Sequence, residues 1–227
     1  MTSYLPNFRQ SPYGNEPLRE AFFQPQKLLS KGGIEPIIAG LLRQRSQKVD
    51  PAMVEDLRSF LFTEEVGSAG LDLAAFNIQR GRDHGLPNYT RMRQTMGLHG
   101  SIESVISSSD LSKLMYIYNG DLDLIDPWLG ALLERPAHQA MVGELLQRVI
   151  GEQFNHLRLG DRYWYDQILK DPNHYGDMGI GYWSILHGVG LPLEDCRDVT
   201  LADIIQANTD LRLDFSPTSK FNAFYGL

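Results

Sequence analysis

The stretch LAAFNIQRGRDHGLPNY, residues 73–89, decides the fold of this 227-residue chain. It opens with an apolar run, and six side chains that carry charge or form hydrogen bonds then fall between Asn77 and His84. Asn77 and Arg80 are three residues apart, so they share one face of a helix. His84 lies near that face only if the helix continues through Gly81.

A helix that buries its first turns and then presents an Asn and an Arg together favours a buried polar ligand. The planar guanidinium of Arg80 suits a carboxylate. The amide of Asn77 can accept a hydrogen bond from an imidazole N–H and so hold its tautomer. The alternative is that Arg80, Arg82 and Asp83 form a structural ion-pair network and that His84 is a core histidine. Spacing alone favours this structural alternative.

The exact sequence of the segment favours the ligand-binding interpretation instead. LAAFNIQRGRDHGLPNY closely resembles the signature of the animal-type haem peroxidases. Four other segments resemble that family in the same order, from about residue 18 to residue 211. They read AFFQPQKLLSKGGIEPIIAGLL, LDLIDPWLGALLE, VIGEQFNHLRLGDRYWYDQ and LADIIQANTDL.

The resemblance implies a partial domain. Residues 1–227 match the C-terminal part of the mainly α, multi-helix peroxidase domain, with long irregular connections. The family's distal and proximal histidines, its catalytic Arg and its calcium loop belong to an earlier part. None of the six histidines here lies in those contexts. We therefore expect no catalytic residue and no metal ligand in this chain, calcium only in the missing part, and no activity of the chain alone.

Two residues carry over from the family. Asn77 matches the Asn that hydrogen-bonds the proximal histidine and so orients it. Arg80 matches an Arg beside a propionate of the cofactor, which the resemblance identifies as haem b. Arg82, Asp83 and His84 complete the signature, and we expect them to be structural.

The implied function is haem-dependent reduction of hydrogen peroxide, with oxidation of a small donor or a halide. The other expected partner is the N-terminal part of the domain. A fatty-acid dioxygenase or cyclooxygenase-like member is one alternative, and a non-catalytic truncated or adhesion remnant is another. The family predicts a secreted or extracellular parent protein, although residues 1–16 lack the apolar core of a signal peptide.

Composition excludes several other classes of protein. The chain is 42% hydrophobic and 22% charged, with a formal net charge of -7 and a pI of about 5.3, which is typical of a globular protein. The absence of a dense basic block argues against a nucleic-acid binder. No apolar run reaches the ~20 residues that a membrane-spanning helix needs. The single cysteine, Cys196, cannot form an intrachain disulfide.

Helical periodicity and capping residues predict most of the elements. Asp50-Pro51 and Asp126-Pro127 each read as a helix start. The sequence from Asp171 to Gly190 is predicted to be irregular, and Thr200 and Asp203 to form a capping pair. The other helices are expected at Leu18–Leu29, Ile34–Leu42, Leu71–Arg80, Pro87–Met96, Gln139–Leu157 and Thr200–Ala207.

Overall fold

The computed structural model describes residues 14–30, 32–43, 46–62, 69–161 and 201–211, and these residues are mainly helical. Extended pairing among them is limited to two isolated antiparallel bridges, Leu61 with Leu71 and Ile106 with Glu134. The predicted mainly α class is therefore confirmed. The helices are α1 Gln26–Ser30, α2 Glu35–Arg43, α3 Glu55–Arg58, α4 Leu73–Asp83, α5 Tyr89–Thr95, α6 Ile102–Val105, α7 Ser108–Ile117, α8 Pro127–Leu133, α9 Glu144–Gly160 and α10 Leu201–Asn208.

The chain divides into two compact units. One comprises residues 1–149 and 214–227, and the other residues 150–213. The first unit contains the main core, in which each fully buried large side chain contributes about 1.5–3 kcal/mol. The core residues are Tyr89, Val105, Ile106, Leu114, Ile125, Ala131 and Leu145. In the second unit Ile205 and Leu211 are buried.

The described part of the chain contains no candidate for a membrane-spanning helix. None of the helices there combines the length and the apolar character needed to cross a bilayer.

Helix α4 contains most of the signature segment. It begins because the Asp72 side chain accepts a hydrogen bond of 3.1 Å from the Ala75 amide, and it continues through Gly81 to His84 at its C-terminal end. The predicted helix is confirmed, with both ends displaced by two or three residues. The expectation that its first turns are buried is wrong, since α4 has no buried residue and Phe76 is exposed. Leu71 instead forms the bridge with Leu61.

Helices α5 and α8 pack closely because of one glycine. A Cβ on Gly130 of α8 would overlap the Tyr89 side chain of α5. The Tyr89 amide also donates to the Ile125 carbonyl over 2.8 Å, just before α8. The start at Asp126-Pro127 is confirmed, with Pro127 in the first turn, although the Asp126 side chain makes no capping hydrogen bond.

Two predicted helices in the N-terminal third differ from the structure. The segment expected at Leu18–Leu29 is a short 3-10 turn, Leu18–Glu20, followed by α1. The break falls where Phe23 has a positive φ of 56° and where Pro25 cannot donate a backbone hydrogen bond. The Asp50-Pro51 start is wrong, because the Asp50 carboxylate accepts from the Ala52 amide in a local turn and α3 begins only at Glu55.

The long helix near the end of the first unit starts later than predicted. It begins at Glu144 instead of Gln139, whose φ of 56° is incompatible with a helix. Helices α2, α5 and α10 lie close to their predicted positions, whereas α6 and α7 were not predicted. The irregular stretch from Asp171 to Gly190, the Thr200 cap and Cys196 lie outside the described residues.

Candidate functional site

Helix α4 presents Asn77 and Arg80 from neighbouring positions on its surface. Asn77 is half-buried and Arg80 is exposed. Neither side chain forms a hydrogen bond or ion pair with another residue of the described ranges. The structure therefore brings the two predicted site residues together and leaves both with bonding capacity.

Arg82, two residues beyond Arg80, is used differently. Its Nε and Nη2 donate to the two carboxylate oxygens of Asp126 over 2.9 and 2.8 Å, in the paired geometry that makes such contacts strong. The Tyr118 hydroxyl donates to the same carboxylate over 2.8 Å. The Arg82 hydrogen bond holds the pKa of Asp126 below its ordinary value, against the opposing effect of burial. Asp126 is therefore a stable anion at neutral pH.

A second polar cluster lies inside the core. The carboxylate of Glu134, whose side chain is fully buried, accepts from the Tyr89 hydroxyl over 2.7 Å and from the Leu145 amide over 2.8 Å. Arg93 also pairs with it and reaches Glu144 over 2.8 Å. Burial, assisted by the Glu134 hydrogen bond, raises the pKa of Tyr89 far above its ordinary value. The cluster joins α5 to the end of α8 and the start of α9, and its Tyr is a neutral donor.

These contacts contradict the alternative that Arg80, Arg82 and Asp83 form one ion-pair network with His84 as a core histidine. Arg82 pairs with Asp126, 44 residues away, and Asp83 is exposed. His84 is exposed at the end of α4 and is therefore no core histidine. Across the described part of the chain, no three His, Cys, Asp or Glu side chains are grouped to hold a metal ion.

The chemistry of the exposed side of α4 fits the rim of a haem. An Arg guanidinium can pair with a propionate carboxylate, and Arg80 forms no ion pair with another described residue. A histidine that ligates iron usually donates its second N–H to an acceptor, which the Asn77 amide oxygen can supply. The residues present are therefore compatible with the cofactor that the signature implies.

Sequence reasoning missed both polar clusters. It read Asp126 as a helix cap, and the structure shows the carboxylate committed to Arg82 and Tyr118 instead. Glu134 carried no local signal, because its donors lie 45 residues before it and 11 residues after it. Its position just after an apolar helix does not identify those donors.

Comparisons with known proteins agree on one family. The profile described as "Animal haem peroxidase" matches residues 2–219. A peroxidasin homolog from Caenorhabditis elegans is 36% identical over 70% of this chain and 12% of its own length. Lactoperoxidase from Mesocricetus auratus is 38% identical over 68% of this chain and 23% of its own length.

The solved structures include a similar fold. Peroxidase A from Dictyostelium discoideum matches with a TM-score of 0.64 and 34% identity, over 73% of this chain and 32% of that chain. This chain thus spans no more than about a third of the length of the relatives that it matches. Its signature segment, its helical architecture and the profile match over nearly all of its residues assign it to one family: the chain is a member of the animal haem peroxidases.

Proposed function

We propose that this chain forms the proximal-side, C-terminal portion of a haem peroxidase domain that reduces hydrogen peroxide and oxidises a small donor or a halide. The observation that carries the proposal is that Asn77 and Arg80 lie near each other on α4 and neither side chain has a partner among the described residues. The chain that presents them belongs to the animal haem peroxidases. The relatives reported above are named as peroxidases or as a peroxidasin homolog, which favours peroxidase chemistry over the dioxygenase alternative.

The two residues have different roles in this proposal. Asn77 accepts the N–H of the proximal histidine, fixes the orientation of its ring and so tunes the electron donation to iron. Arg80 offsets the charge of a haem propionate and anchors the edge of the macrocycle. The proposed cofactor, haem b, would supply the iron that exchanges electrons with peroxide and with the donor.

In this proposal the other parts of the active site lie outside the 227-residue chain. The distal acid–base histidine, the proximal histidine and the calcium loop belong to the N-terminal part of the domain, which is the main partner of this chain. Without them the 227-residue chain is not expected to oxidise donors faster than free haem. The family resemblance favours an extracellular location for the whole protein.

Alanine substitutions at the two positions, made in the haem-loaded domain, test the proposal. We expect Asn77→Ala to shift the reduction potential of the iron and to slow turnover by about 10-fold or more, because a contact that orients a metal ligand is worth about 10–100-fold. We expect Arg80→Ala to speed haem loss, with a smaller change in turnover per bound haem. Absorbance spectra, potentiometry and transfer of haem to an apo-acceptor measure these effects.

Gln79→Ala is the matched control, because Gln79 is exposed on the same helix and its side chain forms no hydrogen bond with another described residue. It should match the parent protein in all three measurements. If Asn77→Ala and Arg80→Ala also match the parent in spectrum, potential and haem loss while only their melting temperatures fall, the assignment of both residues to the haem is wrong.

A further inference from the structure

One carboxylate joins three helices next to the proposed haem-facing residues. Asp126, at the start of α8, accepts the paired hydrogen bonds of Arg82 from α4 and the hydroxyl of Tyr118 from the end of α7. Only 8% of the Asp126 side chain is exposed. It stands at a capping position but makes no capping hydrogen bond. Its acceptor capacity is thus directed to contacts between helices.

This contact supplements the limited apolar packing of helix α4. It has no buried residue, so apolar packing leaves its rotation about its own axis weakly determined. The paired bonds from Arg82 to Asp126 are directional, because a guanidinium and a carboxylate match in one planar arrangement. A contact of this kind near the last turn of α4 restricts that rotation.

The position of Arg82 determines what the other side of α4 presents. Successive residues of an α-helix are separated by about 100°, so Arg80 and Arg82 project about 160° apart. Asn77 and Arg80 are separated by only about 60°. Holding Arg82 against Asp126 therefore directs Arg80, with Asn77 beside it, away from α8. This agrees with the exposure of Arg80 and with its lack of a partner among the described residues.

We propose that Asp126 is a positioning residue for the cofactor: its carboxylate orients α4 so that Asn77 and Arg80 face the haem. The inference rests on the proposed function and extends it to a residue that does not itself touch the haem. Because the pKa of Asp126 lies below its ordinary value, owing first to the Arg82 hydrogen bond, the carboxylate remains an anion throughout the neutral range.

The first test is Asp126→Asn in the haem-loaded domain, with Asp123→Asn as the matched control. Asp123 is an exposed carboxylate three residues away that accepts from the Thr90 hydroxyl. We expect Asp126→Asn to increase amide hydrogen exchange across residues 73–83 and to speed haem loss about 10-fold. The control should change neither. Unchanged exchange in α4, or faster exchange with unchanged haem loss, would overturn the inference.

A double variant separates positioning from general stability. If Asp126 acts through α4, combining Asp126→Asn with Arg80→Ala should speed haem loss by much less than the product of the single effects. Multiplicative effects would indicate independent roles and overturn the inference. Should Asp126→Asn fail to fold, Tyr118→Phe replaces it. This variant removes only the hydroxyl, which donates to the Asp126 carboxylate and accepts from the Asp126 amide, and it leaves the Arg82 contact in place. It should give a smaller effect in the same direction.

The two proposals fail in different ways. If Arg80→Ala speeds haem loss but Asp126→Asn and Tyr118→Phe do not, the positioning role is wrong and the proposed function stands. If Arg80→Ala and Asn77→Ala leave haem retention and the reduction potential unchanged, the proposed function fails and the inference falls with it.

Discussion

At the scale of single residues, the buried carboxylate of Glu134 depends on the donors that surround it. Glu134 is the most enclosed carboxylate described, and it survives burial because Tyr89, Arg93 and the Leu145 amide all donate to it. A buried anion without donors would cost several kcal/mol. The same reasoning makes these donors interdependent, since removing one of them leaves the others facing an incompletely satisfied partner.

The two carboxylates bound by Arg93 should therefore differ in importance. We expect Glu134→Ala to lower the free energy of unfolding by about 3–5 kcal/mol, because it leaves the buried Tyr89 hydroxyl unsatisfied and removes the buried partner of the Arg93 guanidinium. Glu144, which also pairs with Arg93 but has a side chain 46% exposed, is the control. Glu144→Ala should cost about 1 kcal/mol or less. Urea unfolding of both variants measures the difference, and equal costs would contradict the argument.

The Asp126 carboxylate should make stability sensitive to acid. Its pKa in the folded protein is depressed by Arg82, whereas the pKa of an unfolded Asp is about 3.9. Stabilisation by this group is therefore complete above about pH 4 and is lost as the pH falls through the folded pKa. Because Arg82 is largely exposed, solvent screens the pair, and we expect the loss to be about 1 kcal/mol or less.

Unfolding free energies measured from pH 7 down to pH 2 test this expectation. Asp126→Asn should be less stable at pH 7 and should show a shallower decline below pH 4. Asp123→Asn, at the exposed neighbouring carboxylate, should keep the parent slope. Parallel curves for Asp126→Asn and the parent would show that Asp126 titrates with the same pKa in both states.

At the scale of elements, the helices divide according to whether local or distant contacts position them. The Asp72 cap starts α4, and the Asn88 side chain, which accepts from the Arg91 amide over 2.8 Å, starts α5. Such signals are readable from the sequence, and both helices were predicted. Helix α3 was misplaced because Asp50 has the same capping chemistry but uses it in a turn. Local preference alone does not separate these outcomes.

The crossing of α5 and α8 gives a test at this scale. Gly130→Ala places a methyl group within the Tyr89 ring contact, so we expect a loss of about 1–3 kcal/mol in the free energy of unfolding. Gly151→Ala, within α9, is the control, because its added Cβ would meet no atom within 4 Å. That substitution should raise stability by about 0.5–1 kcal/mol. Thermal and urea unfolding compare the two, and a neutral Gly130→Ala would contradict the close approach.

At the scale of the whole chain, the second half of α9 leaves an apolar face uncovered. Ile150, Phe154 and Leu157 recur at helical spacing, and Phe154 is 66% exposed. Contiguous exposed apolar surface promotes association. We expect the 227-residue chain to form oligomers or aggregates at micromolar concentration, as analytical ultracentrifugation would detect.

A polar substitution identifies the surface responsible. Phe154→Gln should reduce the association, whereas Phe76→Gln, which changes a less exposed ring on α4, should reduce it less. A parent chain that sediments as a single monomer at all concentrations would contradict the expectation.

The sequence by itself determined the family, the mainly helical class and the placement of Asn77 and Arg80 on one helix. These follow from residues close together in the chain, where capping, periodicity and a long signature act locally. The start of α8 at Asp126-Pro127 belongs to the same group, since Pro127 suits a first helical turn in any context.

Only the tertiary structure decided which charges meet. With 21 basic and 28 acidic residues, the sequence offers many possible partners for each one. The pairs of Arg82 with Asp126 and of Arg93 with Glu134 join residues 44 and 41 positions apart. Which carboxylate lies within hydrogen-bonding distance depends on how α4, α5 and α8 pack, and that packing is set by contacts such as the one between Gly130 and Tyr89. The half-buried position of Asn77 and the exposed position of Arg80 follow from the same packing.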